Sequence, residues 1–315
     1  MATVFIPTPL RKFTENVSKA EIDAQTIGNL LDSLSKKYPE LKNVISIVPA
    51  IAGGIDDETF SKEELARYNR HIIIPDFGLE AQKKLKKAKV LVVGSGGLGS
   101  PLLLYLAAAG VGTIGIIDFD IVEDSNLHRQ VLFGVDEIGL PKVEAAKKRI
   151  EGINPYITIN AYNKKLTSEN ALELISQYDV IADGTDNFPT RYLVNDACVL
   201  SNKTNVYASI FQFEGQVSVF NHFDEGVRGP NYRDLYETPP PAGLVPSCAE
   251  GGVLGVLPGI IGSLQALEVI KVITGVGDVL SGKLYTFDAL SFQAHTFKLK
   301  RKESNPLNGA NPSIT

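Results

Sequence analysis

The stretch that decides the fold reads Val90-Leu-Val-Val-Gly94-Ser-Gly96-Gly97-Leu-Gly99. Its apolar residues predict a buried parallel strand, and the glycines behind them fit the pattern G-x-G-x-x-G, which joins a strand to a helix. Glycines there let backbone N–H groups and the positive end of the helix approach a phosphate. The same glycines are also needed where a helix packs closely on a strand, so nucleotide binding and plain packing are alternatives at this point.

Strand and helix patterns alternate on both sides of this loop. Helices are predicted over 100–109, 141–153, 168–177 and 257–274, and strands over 113–117, 157–161, 180–183, 206–210, 216–220, 284–288 and 292–298. The regular alternation predicts an α/β fold with a Rossmann-like, mostly parallel sheet, since parallel strands are joined by crossover helices. The strands near 206–210 and 216–220 alternate polar and apolar residues, which predicts an antiparallel extension.

The composition is that of a soluble globular protein of 315 residues, with 44% hydrophobic and 21% charged side chains. The net charge of −5 gives no basic surface for nucleic acid. The longest apolar run, 251–262, is broken by glycines and Pro258, so no membrane span is predicted. The N-terminus lacks the apolar core of an export signal, and we expect a cytoplasmic location. Cys198 and Cys248 are too few for a disulfide framework.

Charged residues follow the ends of the predicted parallel strands. Asp118 ends the strand after the glycine loop, where a carboxylate commonly binds ribose hydroxyls. Arg129 and Lys142 come next, and Asp186 follows the strand over 180–183. The carboxyl ends of parallel strands meet at the edge of the sheet where ligands bind, so we expect these side chains to share one site.

This set of charges favours ATP chemistry over a nicotinamide-dependent oxidoreductase, which the glycine loop also permits. Joining a carboxylate to the α-phosphate of ATP brings two negative groups together, and Arg70, Arg129 and Lys142 would neutralise them. Asp186 would hold Mg²⁺, which prefers oxygen ligands. No acid or base for hydride transfer is evident among the histidines of the sequence. A scaffold with a relic nucleotide site is a third alternative, against which the intact charged set argues.

Each of these residues also has a purely structural explanation. Arg70, Arg129 and Lys142 taken singly fit surface salt bridges. Asp186 could cap the helix that begins after Asn187. Their occurrence together favours a shared site over these separate explanations.

The large segment resembles the MoeB/ThiF/HesA family, the bacterial and archaeal relatives of ubiquitin-activating enzymes. The resemblance rests on ordered motifs within residues 62–300: Arg67-Tyr-Asn-Arg70-His71, 94–99, Asp118-Phe-Asp120, Ser125-Asn-Leu-His-Arg-Gln130, Gly139-Leu-Pro-Lys142, 183–187, 246–253 and 262–271. It implies adenylation of the C-terminal Gly-Gly of a ubiquitin-like sulfur carrier by ATP with Mg²⁺. It also implies a homodimer in which Arg70 reaches into the partner's site.

The resemblance further implies the residues of the site. The ATP-binding set is Gly94, Gly96, Gly97, Gly99, Asp118, Asp120, Ser125, Asn126, Leu127, His128, Arg129, Lys142, Asp186 and Asn187. The catalytic set is Arg70, Arg129, Asp186 and Cys248. Cys248 matches a cysteine with which some members form a covalent link to the activated glycine, and an inert loop thiol is the alternative.

The sequence departs from the family at its zinc-binding cysteines. The positions of the family's two Cys-x-x-Cys pairs are held here by Asn231, Asp234, Asn305 and Asn308. Without thiolates we expect no zinc site, so the loop must be fixed in another way.

The N-terminal segment resembles the start and the end of a MoaD/ThiS-type sulfur carrier. It contains a strand over 4–6, a helix over 26–38 and a strand over 44–50, and it runs to Gly53-Gly54. The resemblance implies a short, partial β-grasp-like segment without its middle strands. Because Gly54 is bonded to Ile55, it has no carboxylate to adenylate. We interpret the segment as a docking or vestigial element, with an ordinary extension as the alternative and the substrate supplied in trans.

The expected organisation has four parts. They are a truncated ubiquitin-like segment (1–54), a linker (55–61), an adenylation domain (62–300) that opens with a capping box at Ser61 and Glu64, and a flexible tail (301–315). No length for a rhodanese domain follows the large domain, so the expected sulfur donor is a separate cysteine desulfurase or rhodanese. The expected pathway is molybdopterin synthesis, with thiamine and thiolated-tRNA synthesis as alternatives.

Overall fold

The computed structural model describes residues 2–6, 8–24, 27–41, 59–224, 226–241 and 251–314. The contacts within the chain divide it into two units, Met1–Lys83 and Lys84–Thr315. The division falls after Lys83 rather than at the expected linker. Residues 62–83, which the sequence places in the adenylation domain, therefore group by their contacts with the N-terminal unit.

The N-terminal unit begins with two strands and a helix. They are β1 (Ala2–Phe5), which pairs antiparallel with β2 (Lys19–Ile22), and α1 (Ile27–Lys37). Their small core contains Ile6, Ala20, Ile22, Leu34, Tyr38 and Leu41. No strand is predicted over Lys19–Ile22, because a run of four alternating residues is too short to separate a strand from a loop. The exposure of Lys19 and Glu21 and the burial of Ala20 and Ile22 follow the two-residue period of a strand.

Two further helices, α2 (Lys62–Ile72) and α3 (Gly78–Lys87), follow residue 59. The predicted capping box at the start of α2 is confirmed. Ser61 Oγ accepts a hydrogen bond from Glu64 N at 3.2 Å, and Glu64 Oε2 accepts one from Ser61 N at 2.9 Å. The predicted strand over 44–50 and the Gly53-Gly54 pair lie outside the described residues.

The large unit is built on an eight-stranded sheet. Its strands are β3 (Lys89–Val93), β4 (Thr113–Asp118), β5 (Thr158–Asn163), β6 (Val180–Asp183), β7 (Thr204–Phe211), β8 (Glu214–Phe220), β11 (Lys283–Asp288) and β12 (Gln293–Lys298), while β9 (Phe223–Asp224) and β10 (Val227–Arg228) form a separate pair. The order across the sheet is β12-β11-β8-β7-β6-β3-β4-β5. Strands β3 to β7 are parallel, and the pairs that join β7, β8, β11 and β12 are antiparallel. The predicted Rossmann-like sheet with an antiparallel extension is confirmed.

The helices of this unit are α4 (Gly99–Ala109), α5 (Lys142–Ile153), α6 (Ala171–Ser176), α7 (Phe188–Leu200), α8 (Tyr232–Leu235) and α9 (Leu257–Thr274). By length and composition alone, α9 is apolar enough to cross a membrane. Its Leu257 and Ile261 pack instead on Ala208 and Val217 of the sheet. Burial in the core therefore accounts for its apolar character.

Part of the tail over 301–315, which the sequence leads us to expect to be flexible, packs against the large unit. Asn305 and Leu307 are buried. One oxygen of the Asp234 carboxylate accepts hydrogen bonds from Lys302 N at 2.8 Å and from Asn305 Nδ2 at 2.7 Å. The tail is polar and has no periodic pattern, so its order comes from partners that lie far away along the chain.

The same hydrogen bonds join the residues that stand at the family's cysteine positions. The second oxygen of Asp234 accepts from Asn231 N at 2.8 Å, and Asn231 Nδ2 donates to Asn308 Oδ1 at 3.1 Å. Asn231, Asp234 and Asn305 are all buried. Buried polar groups in a fully paired network hold a structure in one arrangement. This network fastens the tail to α8, which answers how the loop is fixed.

Replacing Asp234 with alanine should lower the free energy of unfolding by about 3 kcal/mol. The change leaves N–H groups of Asn231, Lys302 and Asn305 without their acceptor. Urea denaturation followed by far-UV circular dichroism measures the effect. The control is Asp278→Ala, an exposed position that should change stability by less than about 0.5 kcal/mol. Equal midpoints for the two variants would contradict a stabilising network.

Candidate functional site

The glycine loop turns tightly between β3 and α4. Gly94 has φ of +89°, a conformation that favours glycine. A Cβ on Gly99 would overlap the carbonyl oxygen of Gly94, and a Cβ on Gly94 would lie 3.1 Å from the carbonyl oxygen of Gly184. Gly94 and Gly99 are thus needed for backbone packing. A Cβ on Gly96 would meet only ordinary contacts, the nearest being Gln130 Nε2 at 3.5 Å, so Gly96 leaves space above the loop.

A cavity opens above this loop at the carboxyl ends of the parallel strands. It holds about 1040 Å³ of space between atoms, including the part open to solvent. Its lining includes residues that the sequence predicts, namely Gly94, Gly96, Gly97, Asp118, Asp120, Arg129, Lys142, Asp186 and Asn187. The strand order reverses between β3 and β6 at this point, and such crevices are where open α/β sheets bind ligands.

The Asp118 carboxylate is held in a fixed orientation at the end of β4. Its Oδ2 accepts hydrogen bonds from both Ser95 N and Ser95 Oγ at 2.8 Å. Its Oδ1 accepts from Asp120 N at 3.0 Å. The glycine loop therefore orients this carboxylate through Ser95. Because the carboxylate is already fixed, a ligand that binds to it loses no free energy in ordering the side chain.

Lys142 forms a salt bridge inside the cavity. Its Nζ lies 3.0 Å from Asp120 Oδ2, and its side chain is 6% exposed, whereas that of Asp120 is 52% exposed. The expectation of a salt bridge is therefore met for Lys142, although the pair lines a cavity rather than an open surface. An anion that binds here would share the ammonium with Asp120.

Arg129 carries a positive charge without a carboxylate partner among the described residues. Its Nη1 donates to Ser125 O at 3.1 Å and contacts His128 Nε2 at 2.8 Å. The surface salt bridge considered for Arg129 is thus absent from the described part of the chain. A cation of this kind at a cavity wall is suited to bind an anion.

The sequence leaves two roles open for Asp186, binding Mg²⁺ and capping the helix that follows. Asn187 is the N-cap of α7, and its Oδ1 accepts a hydrogen bond from Thr190 N at 2.9 Å. The alternative explanation, in which Asp186 caps α7, is therefore wrong. The Asp186 carboxylate is exposed in the cavity, and no hydrogen bond or ion pair joins it to another described residue. Such a carboxylate fits the oxygen preference of Mg²⁺.

A buried network braces the turn that carries Asp186. Asp183 Oδ1 accepts hydrogen bonds from Thr185 N at 3.0 Å and Thr185 Oγ1 at 2.6 Å, and Arg191 Nη2 donates to Thr185 O at 3.2 Å. Burial raises the pKa of the Asp183 carboxyl, and the Arg191 guanidinium opposes that rise. The turn before Asp186 is held from behind by groups that α7 and β6 supply.

The remaining predicted residues lie elsewhere. Ser125, Asn126, Leu127, His128 and Gly99 are not part of the cavity lining. Arg70 is exposed in the last turn of α2, in the N-terminal unit. Cys248 lies outside the described residues.

Several lining residues are not predicted from the sequence. They include Phe119, Gln130, Lys164, Lys165, Thr185, Thr190 and Arg191. Lys164 and Lys165 directly follow β5, so the rule that selects Asp118 at a strand end would also have selected them. Gln130 follows Arg129 within a motif that the sequence already singles out.

Residues 68–308 match the model of the ThiF family. The chain belongs to this family. The protein named probable adenylyltransferase/sulfurtransferase MoeZ from Mycobacterium tuberculosis is 55% identical over 246 residues, which cover 78% of this chain and 63% of the relative. The sulfur carrier protein adenylyltransferase of Thermus thermophilus is 51% identical over 255 residues, which cover 81% of this chain and 94% of the relative.

The fold of this ThiF-family chain is also found in a solved structure. The crystal structure of Escherichia coli MccB with ATP gives a TM-score of 0.65 at 22% identity and covers 88% of this chain and 82% of that chain. At this identity the likeness concerns the fold alone. The resemblance to the MoeB/ThiF/HesA family is confirmed, whereas the alternative of an oxidoreductase gains no support from these relatives.

Replacing Gly99 with alanine should destabilise the protein by about 1–3 kcal/mol, because the new methyl group overlaps the Gly94 carbonyl oxygen. The matched control is Gly152→Ala within α5, where nothing lies within 4 Å of the added Cβ. That change should be neutral or stabilise by up to about 1 kcal/mol. Thermal unfolding measures both variants, and equal melting temperatures would contradict the packing argument.

Proposed function

We propose that this ThiF-family protein is an ATP-dependent adenylyltransferase that activates the C-terminal glycine of a ubiquitin-like sulfur carrier. The observation that carries the proposal is the charge distribution in the cavity. Arg129 brings a cation without a carboxylate partner, and Asp186 brings a carboxylate without a cation, among the described residues. Adenylation needs both, because it joins two anions and uses a metal ion with the nucleotide. The names of the mycobacterial and Thermus relatives support the same class of reaction.

The reaction joins a carrier carboxylate to the α-phosphorus of ATP. A carboxylate oxygen attacks phosphorus, the bond to the departing phosphates breaks, and the products are an acyl-adenylate and pyrophosphate. In our proposal Asp118 binds the ribose, and the backbone around Gly96 and Gly97 faces the phosphates. Arg129 and Lys142 offset the negative charge that accumulates when the two reactants meet. The fixed carboxylate of Asp118 holds the ribose, so that the α-phosphate is oriented for attack.

Mg²⁺ is part of the proposal, and Asp186 is the residue that would hold it. The fit rests on an exposed carboxylate that lies in the cavity and has no partner among the described residues. When bound, the ion supplies positive charge to the phosphates. The network of Asp183, Thr185 and Arg191 would keep the Asp186 turn in place while the ion is exchanged.

The partners of the reaction are proposed from family membership. The substrate is a sulfur carrier with a free C-terminal Gly-Gly, supplied in trans, and the pathway is molybdopterin synthesis, with thiamine and thiolated-tRNA synthesis as alternatives. The sulfur donor is a separate cysteine desulfurase or rhodanese. The active form is a cytoplasmic homodimer in which Arg70 serves the partner's site, and Cys248 is the candidate for a covalent link to the activated glycine.

Carrier-dependent exchange of labelled pyrophosphate into ATP tests the catalytic roles. Arg129→Ala and Asp186→Ala should each reduce the exchange rate by an amount equal to about 3 kcal/mol of transition-state stabilisation. Arg149→Ala and Asp136→Ala, which change the same residue types at exposed positions outside the cavity, should leave exchange unchanged. Normal exchange in both cavity variants, with carrier binding retained, would remove Arg129 and Asp186 from the mechanism.

The N-terminal segment is proposed as a docking or vestigial element and not as the substrate. Intact-mass measurement of the protein from its native cells should therefore show the uncleaved chain, in which Gly54 is bonded to Ile55. A fragment that ends at Gly54 and carries a thiocarboxylate would instead identify the segment as a released carrier.

A further inference from the structure

Gln130 is a buried residue whose carboxamide has no hydrogen-bond partner among the described residues. The side chain is 4% exposed, and its Oε1 is a buried oxygen without a donor. Leaving a buried polar group unpaired costs about 1–3 kcal/mol, and native structures contain few such groups. A phosphate oxygen cannot pair this acceptor, but the donor of the same carboxamide, Nε2, also has no hydrogen-bond partner among the described residues, and Gln130 lines the cavity.

The other buried unpaired atoms of the described chain have different settings. Gln265 Nε2 donates to two carbonyl oxygens, and Arg191 Nη2 donates to Thr185 O, so these side chains are partly paired. Asp183 accepts two hydrogen bonds through its other oxygen. Asn205 does not line the cavity. Gln130 is distinguished from all of them because it lines the cavity and has an unpaired amide.

The position of Gln130 is fixed by its backbone. Gln130 N donates to Asn126 O at 2.9 Å, and Phe133 N donates to Gln130 O at 3.1 Å. The side chain then lies over the glycine loop, where its Nε2 is 3.5 Å from the place of a Cβ on Gly96. A Cβ at position 96 would lie in ordinary contact with this amide. The missing side chain of Gly96 and the unpaired amide of Gln130 therefore face the same space.

We propose that Gln130 is a positioning residue of the nucleotide site and that its carboxamide N–H donates to a phosphate oxygen bound above Gly96. A carboxamide presents either a donor or an acceptor by rotation about its last side-chain bond. Because it is neutral, it orients a phosphate without adding a second strong cation beside Arg129. This inference rests on the proposed function, since it requires an adenine nucleotide in the cavity.

Two substitutions separate a ligand-binding role from a structural one. Gln130→Met keeps the length of the side chain and removes both hydrogen-bonding groups. Gln130→Glu keeps the shape and replaces the donor with a negative charge, which would repel a phosphate. The matched controls are Gln177→Met and Gln177→Glu, because Gln177 is an exposed glutamine outside the cavity.

The first measurement is the affinity of the full chain for ATP and for AMP without a carrier. We expect Gln130→Met to weaken binding by at least about tenfold, which is 1.4 kcal/mol, and Gln130→Glu to weaken it further. The penalty in Gln130→Glu should shrink as ionic strength rises, because salt screens the repulsion. Both Gln177 variants should bind like the wild type.

The second measurement is the melting temperature without nucleotide, which a merely structural role would lower. Since Gln130→Met removes an unpaired buried amide, its melting temperature should equal or exceed that of the wild type. A lower value together with weaker binding would assign Gln130 a structural role and overturn the proposal. If Gln130→Met does not fold, Gln130→Leu, which also lacks both hydrogen-bonding groups and carries no charge, gives the same comparison.

The outcomes also distinguish this inference from the proposed function. If the wild type binds ATP and the Gln130 variants bind it equally well, the role of Gln130 is wrong and the proposed function stands. If the wild type binds neither ATP nor AMP, both are wrong. Weaker binding without loss of stability supports the role of Gln130.

Discussion

The close approach of the backbone at Gly94 is the constraint on which the site depends. Gly99 has to touch the Gly94 carbonyl, and Gly94 lies against Gly184 at the end of the neighbouring strand. These contacts fix three things at once: the start of α4, the end of β3 and the turn that leads to Asp186. Because these contacts are between backbone atoms, the fold itself sets the turn of the loop, and the loop orients Asp118 through Ser95.

The charged side chains in the cavity above this loop differ in whether they are already paired. Lys142 is already paired with Asp120, whereas Arg129 and Asp186 keep their charges free of partners within the described chain. A site that must bring two anions together benefits from this division, since fully paired groups would have to be separated first. The paired Lys142 would share its ammonium between Asp120 and a bound anion, whereas Arg129 and Asp186 have no oppositely charged partner within the described chain to displace.

Periodicity predicts the parallel sheet well, because the strands around Val90 are apolar runs that alternate with helices. The strand-end rule likewise places Asp118, Lys142 and Asp186 at one edge. The strand-end rule does not tell which of the neighbours Asp186 and Asn187 caps the helix. In the structure it is Asn187, whose Oδ1 accepts a hydrogen bond from Thr190 N. The packed tail escapes prediction because its polar residues find their partners far away in sequence. β2 escapes it because its alternation covers only four residues.

Asp234 and Asp186 show why a carboxylate's role cannot be assigned from its local sequence. Each lies near the start of a helix whose N-cap is an asparagine, Asn187 in the case of Asp186 and Asn231 in the case of Asp234. Asp234 is buried and accepts three hydrogen bonds from Asn231, Lys302 and Asn305, so its bonding capacity is used within the fold. Asp186 is exposed in a cavity and accepts none from the described residues. The first carboxylate is therefore a structural element, and the second has its charge available for chemistry.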